Sequence, residues 1–320
     1  MSETFEWLPT ECAPNHYPMF LVKGDLLFPN GNSLYIPDKR TLYNGWGKIG
    51  SAHLIGDERK PLPSCLELTW FSFTEDLFYA GRFELPIDRL AALFRAGTAS
   101  PDGGARLQFD RIIVGMAPGG DVVVWAGARR IVREIAVYRA QPAELPWSMV
   151  LDNPSVSRAD FISMNMKDAL APDILKDVIS KPVPKGRWAI FAHRFAWTPQ
   201  LPASCTGLDL WIRGLNGEVE WLDLTGERKD VDPPPASRSV PSSLTLSWKS
   251  KNGTKLRADI TLDEDESMAA FGKLSEVLMQ PPLVLLLEPS DQATAVDVFL
   301  QRGRFVYRFD KKSVKIYRTD

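Results

Sequence analysis

The sequence predicts a β-rich α+β protein. It reads as two related units in tandem, each an antiparallel sheet with one amphipathic helix, joined by a partly helical linker. Three observations carry this. Pro63-Ser-Cys-Leu-Glu-Leu-Thr-Trp70-Phe-Ser72 reappears as Pro241-Ser-Ser-Leu-Thr-Leu-Ser-Trp248-Lys-Ser250, with six of ten positions identical, and ordered self-similarity marks a repeat. Short runs of alternating apolar residues recur along both copies, as half-buried strands require. The 25 Pro and 22 Gly break the chain too often for long helices.

The first unit is placed at residues 1–145. Leu66, Leu68 and Trp70 alternate with Glu67 and Thr69, which predicts a strand with one buried face. The run Phe78 to Leu85 predicts the next. Ile87, Leu90, Ala91 and Phe94 then recur at helical spacing, with Pro86 placed to start the helix. Arg111 to Ala117 and Val122 to Gly127 predict two apolar strands joined by the turn Pro118-Gly-Gly-Asp121. Arg130 to Tyr138 predicts a closing strand.

Residues 146–187 form the expected linker, with helices over Arg158 to Leu170 and Asp173 to Ile179. The second unit is placed at 188–320. There Lys255 to Leu262 follows Trp248, as Phe78 to Leu85 follows Trp70. Leu283-Val-Leu-Leu-Leu-Glu-Pro289 parallels Ile112-Ile-Val-Gly-Met-Ala-Pro118, and Val296-Asp-Val-Phe299 parallels Val122-Val-Val-Trp125. Lys315-Ile-Tyr-Arg318 parallels Ala136-Val-Tyr-Arg139, and Gly226-Glu-Arg-Lys229 faintly echoes Gly56-Asp-Glu-Arg-Lys60. Asp232-Pro-Pro-Pro235 reads as a stiff loop inside the second unit.

Composition narrows the function classes. With 44% hydrophobic and 24% charged residues, the 320-residue chain is built to bury a core. A net charge of −2 gives no cationic field to hold a phosphate backbone, so nucleic acid is not an expected partner. The longest apolar run, Leu283 to Leu287, has the length of a strand, so no membrane insertion is expected. The N-terminal Met-Ser-Glu-Thr-Phe-Glu-Trp has acids where an export signal needs Lys or Arg. The expected location is therefore the cytoplasm. Cys12, Cys65 and Cys205 are too widely spaced for a disulfide framework and read as free thiols.

No motif declares an enzyme. His16, His53 and His193 stand at no metal-ligand spacing. There is neither a GxSxG elbow nor a GxxxxGK[ST] loop. Gly119-Gly120 leads into a strand rather than a helix N-terminus, so it reads as a hairpin turn. Asp263-Glu-Asp-Glu266 lacks calcium-loop spacing and suits a helix start, where acids meet the positive end of the dipole. No catalytic residue, cofactor or metal is therefore expected. Tyr43-Asn-Gly-Trp46-Gly-Lys48 is different. A Trp between glycines has little local cover, so Trp46 either plugs the core or, with Tyr43 and Lys48, anchors a protein-binding surface.

Gly45-Trp46-Gly47, Leu66-Glu-Leu-Thr-Trp70-Phe-Ser72, Tyr79-Ala-Gly-Arg-Phe-Glu-Leu-Pro86 and Ile112 through Trp125 together resemble a bacterial family, domain of unknown function 2931. The resemblance covers roughly the first 140 residues and supplies no catalytic positions. It implies a place near type VI secretion effectors, where immunity proteins are expected. Many members of that family are lipoproteins, and Cys12 departs from that pattern because no apolar region precedes it. The function expected is therefore direct, non-enzymatic binding of another protein, as an immunity protein that neutralises a type VI effector. The alternative is a structural or accessory protein of a secretion or envelope assembly.

Overall fold

The computed structural model describes residues 3–51, 53–54, 56–226, 236–277, 281–290, 292 and 294–319. The chain divides into two compact units, Met1–Thr98 with Arg106–Ile190 and Ala99–Ala105 with Phe191–Asp320.

The first unit runs β1 (Phe5–Glu6), β2 (Leu8–Cys12), β3 (Met19–Leu27), β4 (Ser33–Tyr35), β5 (Arg40–Leu42), β6 (Arg59–Lys60), β7 (Cys65–Ser72), β8 (Leu77–Glu84) and α1 (Ile87–Ala96). It continues with β9 (Arg111–Met116), β10 (Asp121–Ala128), β11 (Ile131–Arg139), β12 (Gln141–Ala143), α2 (Arg158–Ala169), α3 (Pro172–Ser180) and α4 (Arg187–Ile190). One sheet has the order β12-β8-β7-β3-β4, with β5 also on β3. A second sheet holds β2-β9-β10-β11. Leu66, Leu68 and Trp70 of β7 and Tyr79 and Phe83 of β8 meet Ile112, Val114, Val122 and Val124 of the second sheet in one core, and α1 adds Leu90 and Phe94. The alternate residues Phe20, Phe71 and Phe78 face the other way, onto Met166 of α2, its C-cap Leu170 and Val178 of α3. Period-two alternation thus serves two cores, because this sheet is buried on both faces.

The hairpin at Pro118-Gly119-Gly120 forms as its glycines require. Gly119 and Gly120 have φ of 76° and 81°, a region L-residues rarely adopt. A Cβ on Gly120 would stand 2.5 Å from the Ala140 carbonyl oxygen.

The second unit runs β13 (Arg194–Gln200), β14 (Thr206–Gly214), β15 (Val219–Asp223), β16 (Ala236–Ser239), β17 (Pro241–Lys249), β18 (Lys255–Leu262), α5 (Glu264–Ser275), β19 (Leu283–Pro289), β20 (Val296–Arg302), β21 (Phe305–Arg308) and β22 (Lys312–Arg318). Its strands pair in the orders β22-β18-β17-β14-β15 and β16-β13-β19-β20-β21. Leu244, Leu246 and Trp248 alternate inward along β17, as do Leu256, Ala258 and Ile260 along β18. Asp263 caps α5 by accepting from the Glu266 N–H at 2.9 Å, so the acidic run is a helix start. Phe271 of α5 packs on Trp197 of β13 at 5.8 Å between ring centroids.

Four sequence expectations change. Each unit was expected to carry a single antiparallel sheet. Each instead holds two larger sheets, with the ribbon β1-β6 besides in the first unit, and one of the two contains a parallel pair: β2 with β9 in the first unit and β13 with β19 in the second. The partners of a parallel pair lie far apart along the chain, so no turn motif announces them. Tyr138 and Tyr317, matched by sequence, occupy different places. Tyr138 pairs with Val122 on β10, whereas Tyr317 pairs with Arg257 on β18. A four-residue match fixes neither register nor partner. The segment 146–187, expected as a linker, packs its helices on the first unit through Met166, Leu170 and Val178. Trp188, expected to open the second sheet, lies in α4, and the sheet begins at Arg194. The stiff loop Asp232–Pro235 and the echo at Glu227–Lys229 lie outside the described residues.

Candidate protein-binding site

The loop after β5 runs beside the free edge of β2. β2 pairs with β9 on one side only, and an uncovered strand edge is a row of unmet donors and acceptors. Segment 44–51 covers it. Gly45 N–H donates to the Ala13 carbonyl at 2.9 Å. The Asn44 side chain accepts from the Ala13 N–H and donates to the Glu11 carbonyl, both at 3.3 Å. Gly50 N–H donates to Thr10 Oγ1 at 2.9 Å and Ser51 N–H to Glu11 Oε1 at 3.0 Å. Gly50 must be glycine here, since a Cβ would stand 2.2 Å from the Glu11 carbonyl oxygen.

The Glu11 side chain is 1% exposed, with Arg40 the nearest cation at 3.8 Å. Burial pushes its carboxyl above the ordinary value, and the Ser51 hydrogen bonds pull the other way.

The three sequence-selected residues part company. Trp46 turns inward. Its ring meets Trp125 of β10 edge-on at 4.9 Å and Trp188 of α4 at 6.1 Å. It sits over Gly115 of β9, where a Cβ would approach Trp46 Cζ3 to 2.8 Å. Trp46 is therefore a half-buried plug and not an exposed anchor. Gly45 and Gly47, with φ of 108° and 68°, turn the chain to seat it. Tyr43 and Lys48 do face solvent, Tyr43 at 44% exposure. Ile49 at 40% and Leu54 at 94%, which sequence reasoning missed, extend the same loop's apolar surface. The slot had one sequence signal, the glycine interrupting the apolar strand Ile112-Ile-Val-Gly115-Met.

A second polar constellation lies under the Pro118–Gly120 turn. Glu75, with its side chain 1% exposed, accepts from the Tyr79 hydroxyl at 2.8 Å and the Gly119 N–H at 3.2 Å. Lys185 stands 3.5 Å away. Asp121 holds Arg139 at 2.8 Å and accepts from the Ala189 N–H at 3.1 Å. Both carboxylates are fully engaged in fixing the hairpin and the α4 region, a structural task. His16, His53 and His193 are all exposed. Cys12 and Cys65 are buried and Cys205 is half-buried, and no disulfide joins them. Among the described residues, no group of three or more His, Cys, Asp or Glu is placed to hold a metal ion. No helix of the described residues is long and apolar enough to cross a membrane.

Fold and loop together define a β-rich α+β protein with a pinned, partly apolar surface loop on its first unit. The family model for a protein of unknown function, DUF2931, matches residues 1–186, and the chain belongs to that family. The matched span takes in α2 and α3, so it reaches beyond the blocks through which the sequence resembles the family. Neither a curated protein nor a solved structure shows significant similarity to the chain.

Proposed function

We propose that this chain acts without catalysis, by stoichiometric binding of another protein, and that it is an immunity protein neutralising a type VI secretion effector. The observation that supports this reading is the loop from Tyr43 to Leu54. Tyr43, Ile49 and Leu54 stand in solvent while segment 44–51 is hydrogen-bonded along β2. Surface aromatic and aliphatic groups on a pre-ordered loop bind with little ordering cost. Tyr43 and Lys48 remain in the proposed contact surface, and Trp46 supports it from beneath.

We also propose that the two units descend from one duplicated unit. The strand orders β12-β8-β7-β3-β4 and β22-β18-β17-β14-β15 correspond element for element, as do the parallel pairs β2/β9 and β13/β19. Cysteines that form no disulfide with one another suit a reducing compartment, and the cytoplasm is the proposed location.

The test begins with capture of partners from the native host and identification by mass spectrometry. The captured protein is then expressed alone and with this chain. Toxicity relieved by co-expression is the expected result, with Tyr43→Ala and Ile49→Ala together weakening the complex by about 2–4 kcal/mol. A partner belonging to a secretion or envelope assembly, harmless alone, would replace immunity with the accessory reading. Binding untouched by the double variant would remove the loop.

A further inference from the structure

The ribbon of β1 and β6 borders a cavity of about 460 Å3 in the first unit, lined among others by Trp7, Leu8, Leu54 and Lys60. That size is within the range of small-molecule sites. Lys60 is 5% exposed. Its ammonium donates to the Trp7 carbonyl at 3.0 Å and lies 5.6 Å from the centre of the Trp7 ring. An ammonium has three protons to donate, and among the described residues this one has a single hydrogen-bond acceptor, with Asp57 attracting it through space. The buried Trp7 Nε1–H likewise has no acceptor among the described residues.

A buried ammonium with unused capacity on the cavity calls for a ligand that accepts, and charge-assisted acceptance by a carboxylate is the strongest form available. The rim carries the opposite sign. Asp57 and Glu58 are exposed at the cavity and make no ion pair among the described residues. Asp110 and Arg111 lie 3.2 Å apart and neutralise each other.

We propose that this cavity binds a zwitterion, its carboxylate on Lys60 and its cationic group against Asp57 and Glu58. A basic amino acid has this form, and so does the basic C-terminal residue of a peptide. The site shares Leu54 with the proposed binding loop but uses neither Tyr43 nor Ile49, so its titration can fail or succeed independently of the protein-binding reading.

Calorimetric titration of the full chain with L-arginine, with agmatine (which lacks the carboxylate) and with the peptide Ala-Ala-Arg tests it. The expected result is binding of L-arginine or the peptide and none of agmatine. Lys60→Gln should weaken that binding at least about tenfold, and Asp57→Asn with Glu58→Gln several-fold. Binding by the peptide alone assigns the ligand to a chain end, and binding by free L-arginine assigns it to the amino acid. Should Lys60→Gln fail to fold, the exposed rim variant still decides. Silence from both ligands at millimolar concentration, equal binding of agmatine, or affinity unchanged in the rim variant would overturn the proposal.

Discussion

The two units meet the same problem at the same place and solve it differently. Each has a strand, β2 or β13, that pairs in parallel on one side and leaves its other edge open. In the second unit a further strand closes that edge, with β16 pairing along β13 from Arg194 to Trp197. In the first unit the loop 44–51 closes it, through side chains and a few backbone groups. A strand meets the edge's hydrogen bonds in a repeating pattern and leaves no freedom in what faces out. A loop meets them one at a time, which leaves Tyr43, Lys48 and Ile49 available to solvent. The difference places a presentable surface on the first unit.

The comparison breaks most sharply at the residues the units share. Trp70 and Trp248 are 0% and 1% exposed, each ending a Leu-x-Leu-x-Trp strand. Trp70 also stacks on Tyr79 at 5.4 Å. Either Trp→Ala variant should lose about 3–5 kcal/mol in urea denaturation followed by fluorescence. An unchanged midpoint for one of them would end the claim that the two sites correspond.

Trp46 sharpens the contrast, because it belongs to the loop that covers the β2 edge in the first unit, whereas a strand, β16, covers the β13 edge in the second. Trp46→Ala removes the edge-on partner of Trp125 and empties the slot over Gly115. A loss of about 2–3 kcal/mol is expected, somewhat below the range for a fully buried ring. Partner binding should fall only as far as the loop loosens. A variant of full stability with binding abolished would restore Trp46 as an anchor.

The helices differ more mildly. α5 begins with the Asp263 cap, whereas α1 begins after Pro86 with no side-chain cap. Asp263→Ala should cost about 1 kcal/mol, and Pro86→Ala less, both read from thermal midpoints. Equal effects would mean that the Asp263 bond contributes nothing net.

What the sequence made legible follows from the range of its signals. The hairpin Cys65–Glu84, helix α1, the Pro118–Gly120 turn and the acidic start of α5 all formed as predicted, since each is written in adjacent residues. Partners distant in the chain were not legible. Nothing near Leu8 announces a parallel neighbour 103 residues onward at Arg111, nor near Trp197 one 86 residues onward at Leu283, and the inward turn of Trp46 depends on a gap at Gly115. The Tyr43 and Lys48 exposures followed from loop chemistry. The buried ammonium of Lys60 against Trp7 was invisible, because the β1–β6 ribbon brings the two together.

The smallest effect concerns the carboxylate that ties the loop to β2. Glu11 is buried, and burial raises its carboxyl above the ordinary value of 4.5 despite the Ser51 hydrogen bond and Arg40. A raised value in the folded state means that folding favours the protonated form. The protein therefore keeps this contribution below pH 4.5 and loses it as pH rises through the raised value. Glu11→Gln replaces the charge with a neutral group that can still accept from the Ser51 N–H. The variant should be more stable than the parent at pH 7, by less than the Asp263 cap is worth. The gain should shrink to nothing as pH falls below 4.5, where Glu11 is protonated in both states. Denaturation of both proteins across pH 3.5 to 8 measures this. A variant less stable at neutral pH would mean that the Arg40 and Ser51 contacts outweigh the burial of charge. The loop would then be held to β2 by an ion-assisted clasp, which the β16 pairing in the second unit does without.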